Sequence, residues 1–189
     1  MTRNMSANIT NKSSYDPITI TLHWLTATLV VTLFALALIW DELPKGTPLR
    51  KGMQAWHISL GLTLVVVYTV RVLWHVIGSR RLPPAATGLQ QMAAKAVHYA
   101  LYGLIAVQMV LGFLFRWAQG EPFSFFGFFD VPALMAADHG MANTYGELHE
   151  TVAWIIIVLA GGHAALALLH HYVLKDGVLL RMLPFGSRR

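Results

Sequence analysis

Apolar residues gather into four long runs along the chain, at positions 18–40, 53–77, 89–117 and 148–172, with short polar punctuation between them. Each run exceeds or matches the roughly 20 helical residues needed to cross a hydrocarbon core. The breaks are equally plain: Asp41-Glu42-Leu43-Pro44-Lys45-Gly46 follows the first run, Arg80-Arg81-Leu82-Pro83-Pro84 the second, and a long connection, 119–146, the third. The pattern predicts an all-α chain, an integral membrane four-helix bundle over residues 17–175. A polar N-terminal tail, 1–16, precedes it and a basic tail, 176–189, closes it. The leader MTRNMSANITNKSSYDP lacks the compact pattern of a signal peptide, so the first run is expected to be a retained span.

Composition agrees with a bilayer setting. Of the 189 residues 56% are hydrophobic and only 12% charged, and the mean hydropathy is +0.53. The net charge of +5 does not point to nucleic acid, because the basic residues are scattered between apolar runs instead of forming a stripe with interleaved aromatics. They do orient the chain. Arg3, Lys12, Arg80, Arg81, Lys95, Lys175, Arg181, Arg188 and Arg189 fall on one side, with Arg71 near that end of the second run, against Lys45, Arg50, Lys51 and Arg116 on the other. Both termini are therefore expected to be cytoplasmic. The connection 119–146 then lies outside, and its Phe-rich core GEPFSFFGFFDVP suits either an interfacial anchor or a lid over an outer pocket.

The absence of cysteine removes disulfides, thiolate zinc sites, iron–sulfur ligation and covalent haem attachment. Any metal chemistry must rest on His, Met, Asp or Glu. Histidines stand inside the apolar runs, where hydrocarbon offers no water to their ring nitrogens. His149 and His163 are 14 residues apart in the fourth run. At 100° and 1.5 Å per residue they share a face to within about 40° and lie about 21 Å apart along the axis. His57 sits near the outer start of the second run, level with His149. His23 sits just inside the inner end of the first, nearer the depth of His163.

Two cross-helix imidazole pairs at two depths suit bis-histidine ligation of two haems, stacked about 20 Å apart, which closes both axial positions and favours electron transfer. Gly61, beyond His57, and Gly161-Gly162, before His163, would let a porphyrin approach the backbone. Helix-to-helix hydrogen bonding is the competing role for any single histidine. Zinc would need three or four convergent ligands, which this spacing disperses, and His149-Glu150 lacks the second histidine of H-E-x-x-H, since Ala153 stands there. Arg71 follows His57 by 14 residues, placed either to clamp a propionate or quinone oxygen or to snorkel as a positive-inside arginine. His170 returns to the face of His163 near the inner surface, and with His98 it could line a quinone or proton site or act structurally at the interface. His75, His139 and His171 read as surface or interfacial, and the six tryptophans mostly as interface belts.

Leu22-His23-Trp24, His57 with Gly61, Val70-Arg71, Leu148-His149-Glu150, His163-Ala164-Ala165-Leu166-Ala167, Leu169-His170-His171-Tyr172 and the closing Lys175-Asp176-Gly177-Val178-Leu179-Leu180-Arg181-Met182-Leu183-Pro184 form a specific combination. With these residues the sequence resembles the bacterial cytochrome b561 family, related to the membrane cytochrome b subunit of nickel–iron hydrogenases and formate dehydrogenases. The resemblance runs from about Asp16 onward. It implies a dihaem b-type cytochrome of the bacterial inner membrane with axial ligands His23, His57, His149 and His163. It also implies an oxidoreductase that exchanges electrons with ubiquinone and with either superoxide or a periplasmic electron-transfer protein. A superoxide:ubiquinone oxidoreductase would use an outer face that attracts an anion. Here Lys45, Arg50, Lys51 and Arg116 are nearly balanced by Asp41, Glu42, Glu121, Asp130, Asp138 and Glu147. A membrane anchor and electron conduit for a dehydrogenase, and a haem-free histidine-lined metal transporter, are the alternatives.

Overall fold

A computed structural model describes residues 14–84 and 87–183. The basic residues assigned to the extreme tails, Arg3, Lys12, Arg188 and Arg189, lie outside them. Four helices carry the chain: α1 (Pro17–Asp41), α2 (Pro48–Ile77), α3 (Gly88–Gln119) and α4 (His139–Leu169). The shortest has 25 residues, a length of about 38 Å against a hydrocarbon core of about 30 Å.

Local chemistry fixes the helix ends. Asp16 caps α1 and Thr47 caps α2, each followed by a proline whose missing N–H costs the first turn nothing. At the end of α3, Gly120 takes φ of 71° and its amide bonds the Trp117 carbonyl, a left-handed stop that suits glycine. Asp138 accepts from the amides of Gly140 and Met141 and so starts α4 at His139, well before its apolar run begins. The connection between α3 and α4 is correspondingly shorter than its polarity implied. It holds a small antiparallel hairpin, β1 (Phe123–Phe125) with β2 (Phe129–Val131), in which Phe123 faces Val131 and Phe125 faces Phe129. Phe126 and Gly127 turn it with φ of 48° and 76°. After α4 the chain makes a π-helical turn, His170–Leu174, and a 3-10 turn, Leu179–Met182.

The helices pack as two antiparallel pairs, α1 along α2 and α3 along α4, and the pairs touch each other sparingly. Where they do meet, one layer of buried side chains closes the middle of the bundle: Leu29, Leu64, Val67, Ile105 and Ile156, drawn from all four helices. Large apolar residues cover the outside, Val31 60%, Val66 64% and Val158 70% exposed among them. Such a surface is stable against lipid and not against water. All four helices are long and apolar enough to cross a membrane.

At the end where α1 begins and α4 finishes, called the terminal end below, the start of α1 is sewn to its neighbours. The Asp16 carboxylate accepts from the Thr19 amide and hydroxyl, the Trp74 indole and the Arg80 amide. The Tyr15 amide bonds the Arg181 carbonyl and the Trp24 indole bonds the Met182 carbonyl. Trp24 and Trp74 are thus specific fasteners as well as members of an interface belt.

Candidate functional site

The histidines fall into two groups, one on each side of the midplane layer. Toward the hairpin end, α2 and α4 bring His57 and His149 to a ring-centroid separation of 6.3 Å, with planes at 67°. His57 Nδ1 is 3.0 Å from the Leu33 carbonyl oxygen. A carbonyl only accepts, so this nitrogen carries the proton and Nε2 keeps its lone pair. Trp40 packs edge-on against the same ring at 4.8 Å. His149 lies against α3 at Gly112, where a Cβ would come within 3.3 Å of His149 Cε1. A larger residue there would push the imidazole off its line. His149 Nδ1 is buried without a hydrogen-bond partner.

Toward the terminal end, α1 and α4 bring His23 and His163 to 6.4 Å, with planes at 71°. His98 of α3 joins them, its ring 5.1 Å from that of His163. It stands with this pair, whereas the sequence placed it with His170. Arg71 of α2 reaches the same cluster: its Nη2 is 3.1 Å from His23 Nδ1 and its guanidinium lies 4.9 Å over the Tyr102 ring. The Tyr102 carbonyl accepts from the Tyr68 hydroxyl, and the Tyr102 ring stacks on His75. His75 is exposed, as a surface residue should be, yet it borders this polar patch.

The two ring separations have a chemical meaning. An imidazole nitrogen lies about 1.2 Å from its ring centre and metal–imidazole bonds are about 2.0 Å, so two rings on opposite sides of one metal have centroids about 6.4 Å apart. Both pairs match. Apart from the adjoining backbone of its own helix, nothing lies within 4 Å of where a Cβ would stand on Gly61, Gly161 or Gly162, and the helix pairs are loosely apposed, so these histidines fit a flat macrocycle. An apolar groove of about 520 Å³ between α3 and α4, lined by Val97, Trp154, Val158, Gly162 and His163, opens beside the terminal-end pair. Among the described residues no three His, Asp or Glu converge on a point as a metal-ion cage would need.

The chain belongs to the prokaryotic cytochrome b561 family. The family's sequence profile matches residues 14–185. Over 174 residues, 92% of this chain and 93% of the relative, it is 38% identical to cytochrome b561 homolog 2 of Escherichia coli strain K12. Cytochrome b561 homolog 1 of the same organism is 30% identical over 86% of this chain and 93% of its own length. A Yersinia pestis protein named "Probable superoxide oxidase CybB" is 28% identical over 90% of this chain and 96% of its own length. As a member of the cytochrome b561 family the chain is a multi-pass protein of the bacterial inner membrane, works in electron transport and binds b-type haem.

Several contacts around the site have no periodic signal in the sequence. Ser59, 2% exposed, accepts from the Phe126 amide at 2.9 Å and donates to the Ser124 carbonyl at 3.4 Å. With Phe126 packed 5.3 Å from Trp56, this pins the hairpin to the turn of α2 that bears His57. His170 lies apart from both pairs. Its Nδ1 pairs with the Asp176 carboxylate, and its Nε2 is 3.1 Å from the Gln90 amide nitrogen of α3. Ser59 is a single hydroxyl between Ile58 and Leu60 inside the second apolar run, Gln90 stands beside Gln91 at the start of the third, and Asp176 shows only as part of the family's closing motif.

Proposed function

We propose that this cytochrome b561 carries two b haems, one between His57 and His149 and one between His23 and His163. It uses them to pass single electrons from a donor at the hairpin end, with superoxide the favoured donor, to ubiquinone. The observation that carries the reading is the pair of ring separations, 6.3 and 6.4 Å, at two levels of one bundle. When bound, the haems supply the one-electron carriers. The chain's own part is to orient the imidazoles that would hold the haems, through the Leu33 carbonyl at His57 and the glycine-backed wall at His149.

Similarity to the relative named a superoxide oxidase supports the superoxide reading, and because carboxylates balance the cations at the hairpin end, any attraction for an anion there is local. Of the cations at the hairpin end, Arg50 is committed to the Trp40, Asp41 and Leu43 carbonyls and the Asp41 carboxylate, and Arg116 to Gln119 and Glu121. Lys45 and Lys51 are exposed and form no ion pair among the described residues. They would carry the attraction for a small anion.

The test is direct. The purified chain should contain two b haems per polypeptide with two resolved reduction steps, and should reduce ubiquinone when supplied with superoxide and no other protein. One haem would overturn the paired assignment. Two haems with no superoxide-dependent quinone reduction would leave the electron path and remove superoxide as donor.

A further inference from the structure

His170 is held from two sides at the terminal end of the bundle. It opens the π-helical turn His170–Leu174, a departure from α geometry that is frequent at functional positions. Lys175 then takes φ of 54° and Gly177 φ of 74°, which folds the chain back until the Asp176 carboxylate meets His170 Nδ1. Asp176 is itself steadied by the Val178 amide, at 3.1 Å from its other oxygen. From α3, the Gln90 amide reaches His170 Nε2. Asp176 is the one carboxylate within ion-pairing reach of His170 among the described residues. Its side chain is 32% exposed and that of His170 16%, so the carboxylate faces water and the imidazole faces inward.

A carboxylate on Nδ1 does two things to an imidazole: it fixes the proton on that nitrogen, and it stabilises the imidazolium that forms when Nε2 also takes a proton. Gln90 is compatible with either state, because its amide can present N–H to a bare Nε2 or its oxygen to a protonated one. The Asp176 carboxyl is held below the usual carboxylate range, first by the bond from His170 and then by the Val178 amide. It therefore stays ionised and available for this role.

We propose that Asp176 is the positioning residue that makes His170 the proton donor for the electron acceptor at this end. This rests on the reading of ubiquinone as acceptor. Converting a quinone to a quinol takes two electrons and two protons and forms two O–H bonds. The electrons arrive through the histidine pairs and the protons come from water. His170 stands seven residues beyond His163, about 10 Å further along the axis. The imidazolium gives its Nε2 proton to a quinone oxygen and becomes a neutral ring whose remaining proton stays on Nδ1 against Asp176, and Nε2 takes its next proton from water.

The test uses the full-length, haem-loaded chain in lipid nanodiscs, reduced with dithionite and mixed anaerobically with either ubiquinone-1 or ferricyanide, a one-electron oxidant that takes no proton. Haem oxidation is followed optically. Asp176→Asn should retain its haem spectrum and be oxidised by ferricyanide at the wild-type rate, while oxidation by ubiquinone-1 slows about tenfold. Asp176→Glu should recover most of that rate, and His170→Gln should be at least as slow as Asp176→Asn. If Asp176→Asn loses haem, His170→Gln carries the same comparison. Wild-type rates with ubiquinone-1 in both variants, or equal slowing with both oxidants, would overturn the assignment alone. A wild-type protein oxidised by ferricyanide but not by ubiquinone-1 would remove the acceptor reading and this inference with it.

Discussion

Arg71 Nη2 lies 3.1 Å from His23 Nδ1. A guanidinium has only donors, so in this contact Nδ1 is the acceptor and the neutral ring carries its proton on Nε2. Metal ligation through Nε2 requires the opposite tautomer, and Arg71 must then give up this acceptor and turn to another. Its positive charge stays beside the terminal-end pair in either arrangement. Arg71→Leu should therefore lower the midpoint potential of one b haem by about 60 mV, a tenfold step for a one-electron couple, because a nearby cation favours the reduced form. Arg71→Lys should lower it less. An optical redox titration reads both, and an unchanged potential in Arg71→Leu would count against a charge role.

The ligand assignments predict a separable loss. His57→Ala or His149→Ala should remove only the hairpin-end haem, and His23→Ala or His163→Ala only the other, each leaving one haem per chain by pyridine extraction. Any of the four variants retaining both haems would remove that residue from the ligand set. His98→Ala, despite its 5.1 Å approach to His163, should keep both.

Ser59 ties the hairpin to the helix turn bearing His57 through two hydrogen bonds of one buried hydroxyl. Ser59→Ala leaves the Phe126 amide unpaired, at a cost of about 1–2 kcal/mol. Hydrogen exchange over residues 123–131 should speed up by roughly tenfold while the centres of the helices keep their protection. Unaltered exchange there would mean that the phenylalanine contacts alone hold the hairpin.

Asp16 predicts a pH dependence at the other end. Burial alone would raise its carboxyl, but the bonds from Thr19, Arg80 and Trp74 outweigh it and hold the group well below the ordinary carboxylate range. A carboxyl depressed in the folded state contributes stability that is complete above its unfolded value, about 3.9, and is lost as pH falls through the folded one. Asp16→Asn should therefore melt earlier than wild type at pH 7, by the equivalent of about 1–2 kcal/mol. The gap should narrow only below about pH 4, as thermal melts in detergent would read. A gap constant down to pH 2 would assign the effect to packing.

The helical spans and the histidine levels were legible because both rest on one regular geometry. A residue 14 positions away must return to nearly the same face, so His149 and His163 announce two depths, and His57 and His23 need only matching distances from their helix ends. The start of α4 was not legible from hydropathy, since residues 139–147 mix polar residues and glycines with Met141, Ala142 and Tyr145 and are helical from His139 because Asp138 caps them. The hairpin was hidden for a related reason: its strands are three residues each, too short for an alternating pattern. That His98 stands beside His163 was not legible, because sequence depth says nothing about azimuth between helices and α3 turns it that way. The partners of His170 come from a backbone reversal at Lys175 and Gly177, which no periodicity encodes.

Between the two histidine levels, Leu29, Leu64, Val67, Ile105 and Ile156 close the bundle with hydrocarbon alone. These five side chains offer a hydrated ion or a chain of waters no polar foothold, and the Tyr68 hydroxyl beside them is spent on the Tyr102 carbonyl, whereas an electron needs none. The layer thus works as a dielectric plug that separates the two kinds of charge. Current in this chain can be electronic while the membrane's ion gradients, worth about 2.3 kcal/mol per unit charge per 100 mV, do not leak through it.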